Sequence, residues 1–112
     1  MKRILIVDDS RDTADMLGEI AVVLGHNSTV VYDGASAVSA AAAEAFDLIF
    51  LDLWLPDTDG QKVCIEIRKG RSGSAHIVAL TGSNELIRSG CEGFDEWILK
   101  PLLMDDVERL LA

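Results

Sequence analysis

Two kinds of stretch alternate along the chain. Ile4-Leu5-Ile6-Val7 is an unbroken apolar run, too short for a helix and closed by Asp8-Asp9, the pattern of a strand covered on both faces. Leu48-Ile49-Phe50-Leu51 and Ile77-Val78-Ala79-Leu80 repeat it, stopping at Asp52 and Thr81. Residues 28–32 are rich in β-branched side chains and residues 97–99 are apolar up to Lys100-Pro101, giving two further strands. Between the runs lie amphipathic stretches. Ala14, Leu17, Ile20, Ala21 and Leu24 recur at helical spacing, with Ser10 or Asp12 available as a cap and Gly25 where a left-handed terminator is expected. Asp33-Gly34 marks a turn before an alanine-rich helix over about 35–45. Val63, Ile65 and Ile67 predict a third helix. Residues 83–89 leave room for a short helix stopped by Gly90, and Asp105 or Asp106 opens a last one through residue 111. Residues 70–74, Gly-Arg-Ser-Gly-Ser, read as a flexible connection. They lack the Gly-Lys-Ser/Thr ending of a phosphate-cradling loop. Strands alternating with helices predict an α/β fold, a doubly wound five-stranded parallel sheet with helices on both faces.

A chain of 112 residues, nearly half of them hydrophobic and without repeats or linkers, predicts one folded domain over 1–112. The formal charge of -9 disfavours direct nucleic-acid binding, which relies on clustered Lys and Arg, and suits a cation or a basic partner instead. No apolar run approaches the roughly 20 residues of a membrane helix, and Met1-Lys2-Arg3 opens onto a strand rather than a signal segment. The expectation is a cytoplasmic protein with no membrane contact. Cys64 and Cys91 lack the spacing of a zinc site and read as buried or idle free thiols. His26 and His76 have no carboxylate or Cys at ligand spacing.

In open α/β sheets, ligands bind beyond the carboxyl ends of the strands. Here the first strand ends in Asp8-Asp9, the third in Asp52, the fourth in Thr81 and the fifth in Lys100. One crevice would then hold three carboxylates, a hydroxyl and an ammonium. Neighbouring carboxylates repel one another, and an oxygen-seeking cation such as Mg2+ relieves that repulsion while keeping positions open for substrate oxygens. A carboxylate becomes a nucleophile toward phosphorus once metal and cationic groups neutralise the transferring group, and a short hydroxyl can donate to the phosphoryl oxygens. The combination points to phosphoryl transfer.

Four segments, Ile-Leu-Ile-Val-Asp-Asp-Ser (4–10), Leu-Asp-Leu-Trp-Leu-Pro-Asp-Thr-Asp-Gly (51–60), Ala-Leu-Thr-Gly (79–82) and Leu-Lys-Pro-Leu (99–102), together resemble the receiver domain of bacterial response regulators. The resemblance runs from residue 3 to about 110. It implies a flavodoxin-like strand order 2-1-3-4-5, with Asp52 as phosphoacceptor and a phosphoryl group held by Thr81 and Lys100. Mg2+ would be bound by the Asp9 and Asp52 carboxylates, by Asp8 mainly through water, and by the backbone carbonyl of Trp54. Thr81 and Trp97 would form the conformational switch, and the Lys100-Pro101 peptide would be cis. The implied partners are a histidine kinase or histidine phosphotransfer protein upstream and an unidentified protein or output domain downstream, the chain itself being a monomer or weak dimer. The implied chemistry is its own phosphorylation and dephosphorylation, not turnover of free substrates.

Three features depart from the family pattern. The interval from Thr81 to Lys100 is a few residues short, in the fourth-helix region. Trp97 is bulkier than the usual Tyr or Phe. Trp54 and Ser83 stand two residues after Asp52 and Thr81, where side chains tune phosphate lifetime, and Trp54 is expected to shield the phosphoaspartate from water. Other readings fit less well. An EF-hand would need a ligand where Leu55 stands. An aspartyl phosphatase would need a second Asp where Trp54 stands, and a flavin phosphate would be repelled by acidic strand ends. A relay shuttle or sink, a receiver module of a hybrid histidine kinase, and a receiver-like binding module that is not phosphorylated all remain open.

Overall fold

The computed structural model describes residues 2–82 and 93–112. Its strands are β1 (Arg3–Val7), β2 (Asn27–Val31), β3 (Leu48–Asp52), β4 (His76–Thr81) and β5 (Glu96–Leu99). Its helices are α1 (Arg11–Val23), α2 (Gly34–Ala43), α3 (Gly60–Arg68) and α4 (Met104–Leu110). The strands form one parallel sheet in the order β2-β1-β3-β4-β5.

Because side chains alternate across a strand, each apolar run supplies two cores. Ile4, Ile6, Leu48, Phe50, Val78, Leu80 and Ile98 pack on one face with Ala14, Leu17 and Ala21 of α1 and Val107 and Leu110 of α4. Leu5, Val7, Ile49, Leu51, Ile77 and Ala79 pack on the other with Ala37 and Ala41 of α2 and Val63, Cys64 and Ile67 of α3. This double coverage explains why the strands read as continuous rather than alternating hydrophobic runs.

Register positions the chemistry. Val7 pairs with Leu51, Asp52 with Leu80, and Thr81 with Leu99. Asp8, Asp52, Thr81 and Lys100 therefore emerge side by side at one edge of the sheet.

Local signals explain the helix ends. Ser10 occupies the N-cap of α1, although its hydroxyl bonds Thr13 Oγ1 rather than a backbone amide. Gly25, with φ at 89°, ends that helical segment in the left-handed region that glycine tolerates best. The Asp33 side chain caps α2 by accepting from the Ser36 amide, and Asp59 caps α3 by accepting from the Lys62 amide. The alanine-rich helix is shorter than expected, because Glu44 leaves helical geometry and becomes its extended C-cap. The last helix starts from Leu103 as N-cap, with Asp105 and Asp106 inside its first turn, where carboxylates favour the helix dipole.

The expected third helix forms, and one other expectation is corrected. In α3 the buried face is Gly60, Val63, Cys64 and Ile67, whereas Ile65 is 53% exposed. The apolar residues at 63, 65 and 67 follow a two-residue spacing, and a helix can turn only part of such a set inward. The connection over 70–74 is tied down rather than flexible. Ser72 is buried, its Oγ accepting from the Phe46 amide and facing the carbonyls of Ala41 and Glu44, while Arg68 donates to the carbonyls of Gly73, Ala75 and Gly93. Cys64 is a buried core thiol. His26 joins the chain ends, Nδ1 accepting from the Lys2 amide and Nε2 facing the Leu111 carbonyl. The expected helix at 83–89, Gly90, Cys91 and the side chain of Ser83 lie outside the described residues. Among the described residues no helix is long and apolar enough to cross a membrane.

Candidate phosphoacceptor site

Two strand ends, those of β1 and β3, converge on one acidic cluster. Asp8, Asp9 and Asp52 each offer a carboxylate oxygen, all within 4.8 Å of one another. Asp8 and Asp52 are buried while Asp9 is exposed, so the cluster opens to solvent on the Asp9 side. Asp8 Oδ1 accepts from the Ser10 amide at 3.0 Å, and Asp52 Oδ1 accepts from the Trp54 amide at 3.0 Å. The loops that follow β1 and β3 thus hold one oxygen of each buried carboxylate and leave the other facing the cluster.

Lys100 supplies the counter-charge. Its Nζ lies 2.9 Å from Asp8 Oδ2 and 3.3 Å from Asp52 Oδ2. Asp8 Oδ2 is fully buried and accepts no well-directed hydrogen bond among the described residues, so its contact with Lys100 is an ion pair of imperfect angle. The Lys100 amide donates to the Thr81 carbonyl at 2.7 Å, extending the β4–β5 ladder to the catalytic edge. The Lys100-Pro101 peptide is cis.

One ammonium does not balance three carboxylates. Burial pushes the Asp52 carboxyl up to about 6, with the Asp8 charge adding to it, against the lowering pull of the Trp54 amide and of Lys100. Lys100 is held above its ordinary value: burial disfavours its charge, but Asp8 and Asp52 outweigh that. Converging carboxylates, a buried oxygen without a well-directed donor and an acceptor destabilised as an anion form a donor set that fits a hard divalent cation.

The remaining expected residues are spread around this centre. Thr81 is buried at the end of β4. Trp54 is 61% exposed, and its backbone makes an antiparallel bridge with Asp59 that closes the loop after β3. Trp97 is exposed, pairs in register with Ala79 and lies on the face of β5 opposite buried Ile98.

Two features went unread in the sequence. Asp57, within the 51–60 segment, accepts from the Gly34 and Ala35 amides at the start of α2. Gly60 sits so close to β3 that an added Cβ would lie 2.6 Å from the Asp52 carbonyl oxygen. The Asp-Gly pair at 59–60 gave a signal for a turn, but not for what the turn approaches.

A parallel sheet in this order, carrying an Asp–Asp–Asp–Lys cluster at its carboxyl edge, defines a class of phosphoryl-accepting signalling modules. Residues 4–112 match the response regulator receiver domain, and the chain belongs to that family. Response regulator ArlR of Staphylococcus aureus is 34% identical over 113 residues, covering 100% of this chain and 50% of its own length. The chain thus spans about half the length of the curated relatives it matches. The receiver domain of sensor histidine kinase PA1611 from Pseudomonas aeruginosa, with a magnesium ion in its active-site cleft, aligns with a TM-score of 0.87 at 31% identity, covering 98% of this chain and 93% of that one. Response regulator TrrA from Thermotoga maritima, in complex with Mg2+-BeF, aligns at 0.86 and 29% identity, covering 97% and 95%. The chain is a phosphoacceptor receiver domain, and its acidic cluster and the Mg2+-BeF-bound relative support its own phosphorylation and dephosphorylation. The receiver family uses Mg2+ and pairs with histidine kinases or phosphotransfer proteins.

Proposed function

We propose that Asp52 is the phosphoacceptor of this chain. The Asp8, Asp9 and Asp52 carboxylates and the Trp54 carbonyl would hold Mg2+, with Asp8 acting mainly through water. The supporting observation is the convergence of Asp52, at a strand end, with two further carboxylates and the Lys100 ammonium. The P–N bond of a phosphohistidine on a histidine kinase or phosphotransfer protein breaks as a P–O bond to Asp52 forms, and the imidazole leaves with the bonding pair. Bound Mg2+ supplies neutralisation of the charge on the transferring group.

Lys100 leaves its carboxylate partners in part to contact a phosphoryl oxygen, and the Thr81 hydroxyl donates to another. Phosphorylation adds about -1.5 to -2 charges. A tenfold population shift needs about 1.4 kcal/mol of differential interaction, within reach of one charge-assisted hydrogen bond. Thr81 and Trp97 carry that shift toward a downstream protein or output domain. Trp54, exposed beside the acceptor, slows hydrolysis; Trp54→Ala should shed phosphate faster.

Intact mass after incubation with a small phosphodonor tests the reading on this chain and on Asp52→Asn, with and without Mg2+. The expected result is one added phosphoryl group that requires both Mg2+ and Asp52. No addition under any condition would overturn it in favour of a binding module that is not phosphorylated. A second reading is a relay shuttle, sink or receiver of a hybrid kinase, supported by the match to the receiver of a sensor histidine kinase. Rapid return of the phosphoryl group to a phosphotransfer protein would favour it over an end-point regulator.

A further inference from the structure

The loop over residues 53–59 carries the two backbone groups of Trp54 on which the site relies: the amide that holds Asp52 Oδ1 and the carbonyl assigned to the metal. At its base the loop is closed by Gly60 N–H donating to the Leu53 carbonyl at 2.9 Å and by the Trp54–Asp59 bridge. Its tip is fixed from outside. Both oxygens of Asp57 are engaged by α2, Oδ1 accepting from the Gly34 amide at 2.8 Å and Oδ2 from the Ala35 amide at 2.9 Å. These are the first two amides of the helix, which have no partner within it. The third, Ser36, is served by the helix's own cap, Asp33. Two amides of α2 are therefore satisfied by a residue on a different loop.

The approach is close on the helix side too. A Cβ on Gly34 would lie 2.4 Å from Thr58 Cγ2 and 3.2 Å from Asp57 Oδ1. A side chain at position 34 would force the Thr58 methyl and the Asp57 carboxylate to shift from the helix end. The two amides also hold the Asp57 carboxyl below the usual carboxylate range, so it is ionised when it bridges.

We propose that Asp57 is a positioning residue for the metal site: by clasping the N-terminus of α2 it fixes the loop that presents the Trp54 backbone, so the affinity of the acidic cluster for Mg2+ depends on this clasp. Asp57 touches neither metal nor phosphate. The inference rests on the proposed metal ligands, and its test separates the two.

The measurement is Mg2+ titration of the 15N-labelled chain, followed by backbone amide shifts of the folded protein. Asp57→Asn, which keeps one acceptor oxygen, and Gly34→Ala, which pushes the tip away with the carboxylate intact, should each weaken Mg2+ binding, by on the order of tenfold. Asp33→Ala removes a cap from the same helix end without touching the loop and should leave the Mg2+ dissociation constant within about twofold. Asp9→Asn serves as the control for the metal reading. If Asp9→Asn weakens binding while Asp57→Asn and Gly34→Ala bind Mg2+ like the parent, the clasp is overturned and the site stands. If all variants, Asp9→Asn included, bind alike, the ligand assignment beneath it fails. Equal weakening by Asp33→Ala and Asp57→Asn would also overturn the proposal, because helix stability alone would then govern the site.

Discussion

Lys100 Nζ lies 2.9 Å from Asp8 Oδ2, a fully buried oxygen with no well-directed hydrogen-bond donor among the described residues, so one flexible side chain supplies its counter-charge. Removing one member of such a pair leaves an uncompensated buried charge, and part of the cost is recovered where the other partner is reached by water. Lys100→Met should destabilise the metal-free protein by about 1–3 kcal/mol. Millimolar Mg2+ should narrow that deficit, because a cation at the cluster takes over the role of the ammonium. Thermal melts with and without Mg2+ check this; a deficit that does not change with Mg2+ would contradict it.

The position of Asp52 predicts a pH dependence of definite sign. Its folded value of about 6 stands above the ordinary 3.8. Between those two values the folded state binds the proton more tightly than the unfolded chain. Ionisation of Asp52 therefore removes stability as pH rises through this window, and the penalty is complete above about pH 6. In chelator and without Mg2+, Asp52→Asn should be more stable than the parent at pH 7.5 by about 1–2 kcal/mol, after discounting for the solvent-open side of the cluster. The advantage should vanish near pH 4. Comparing the two proteins cancels carboxylates common to both, such as Asp95 and Glu96. An advantage that grows toward acid pH would refute the assignment.

Gly60 makes a contact that only backbone can tolerate. Its missing Cβ would face the Asp52 carbonyl oxygen at 2.6 Å and the Leu53 Cα at 2.8 Å, neither of which can rotate away. Gly60→Ala should cost about 1–3 kcal/mol and displace the acceptor strand end. Denaturation midpoints would report the first effect and the phosphorylation rate of the folded fraction the second.

Ser72 shows how the far end of the sheet is held. Its hydroxyl accepts from the buried Phe46 amide and shares its proton between the carbonyls of Ala41 and Glu44. Ser72→Ala orphans these groups and should destabilise by about 1–3 kcal/mol. Because the acidic cluster lies at the opposite end of the strands, Mg2+ affinity should not change. A lower denaturant midpoint with unchanged slope is the expected signature.

Much of this protein was legible one-dimensionally. The four-residue apolar runs at 4–7, 48–51 and 77–80 could be satisfied only by strands covered on both faces, and their hydrophobic periodicity separates them from the helices between. Each of these runs, and the shorter one at 97–99, stops at a polar residue, which places Asp8, Asp9, Asp52, Thr81 and Lys100 at strand ends. The negative sign of the pocket followed from residue type alone.

What sequence spacing could not decide was contact between elements. Ile65 resembles Val63 and Ile67 in composition, but α3 turns it outward and brings Cys64 into the core, because a helix selects residues by angle rather than by hydrophobicity. Residues 70–74 carry the composition of a loose linker, yet Ser72 is drawn inward by orphan backbone groups from a segment nearly thirty residues earlier in the chain. No sequence spacing ties Asp57 to Gly34 and Ala35; packing sets the start of α2 against it. The chain by itself determined the strands, the helices and the chemical kit, since these follow from local periodicity and residue type. Tertiary structure decided which ammonium meets which carboxylate and which loop is clamped to which helix, because those depend on parallel register and close approach between segments far apart in sequence.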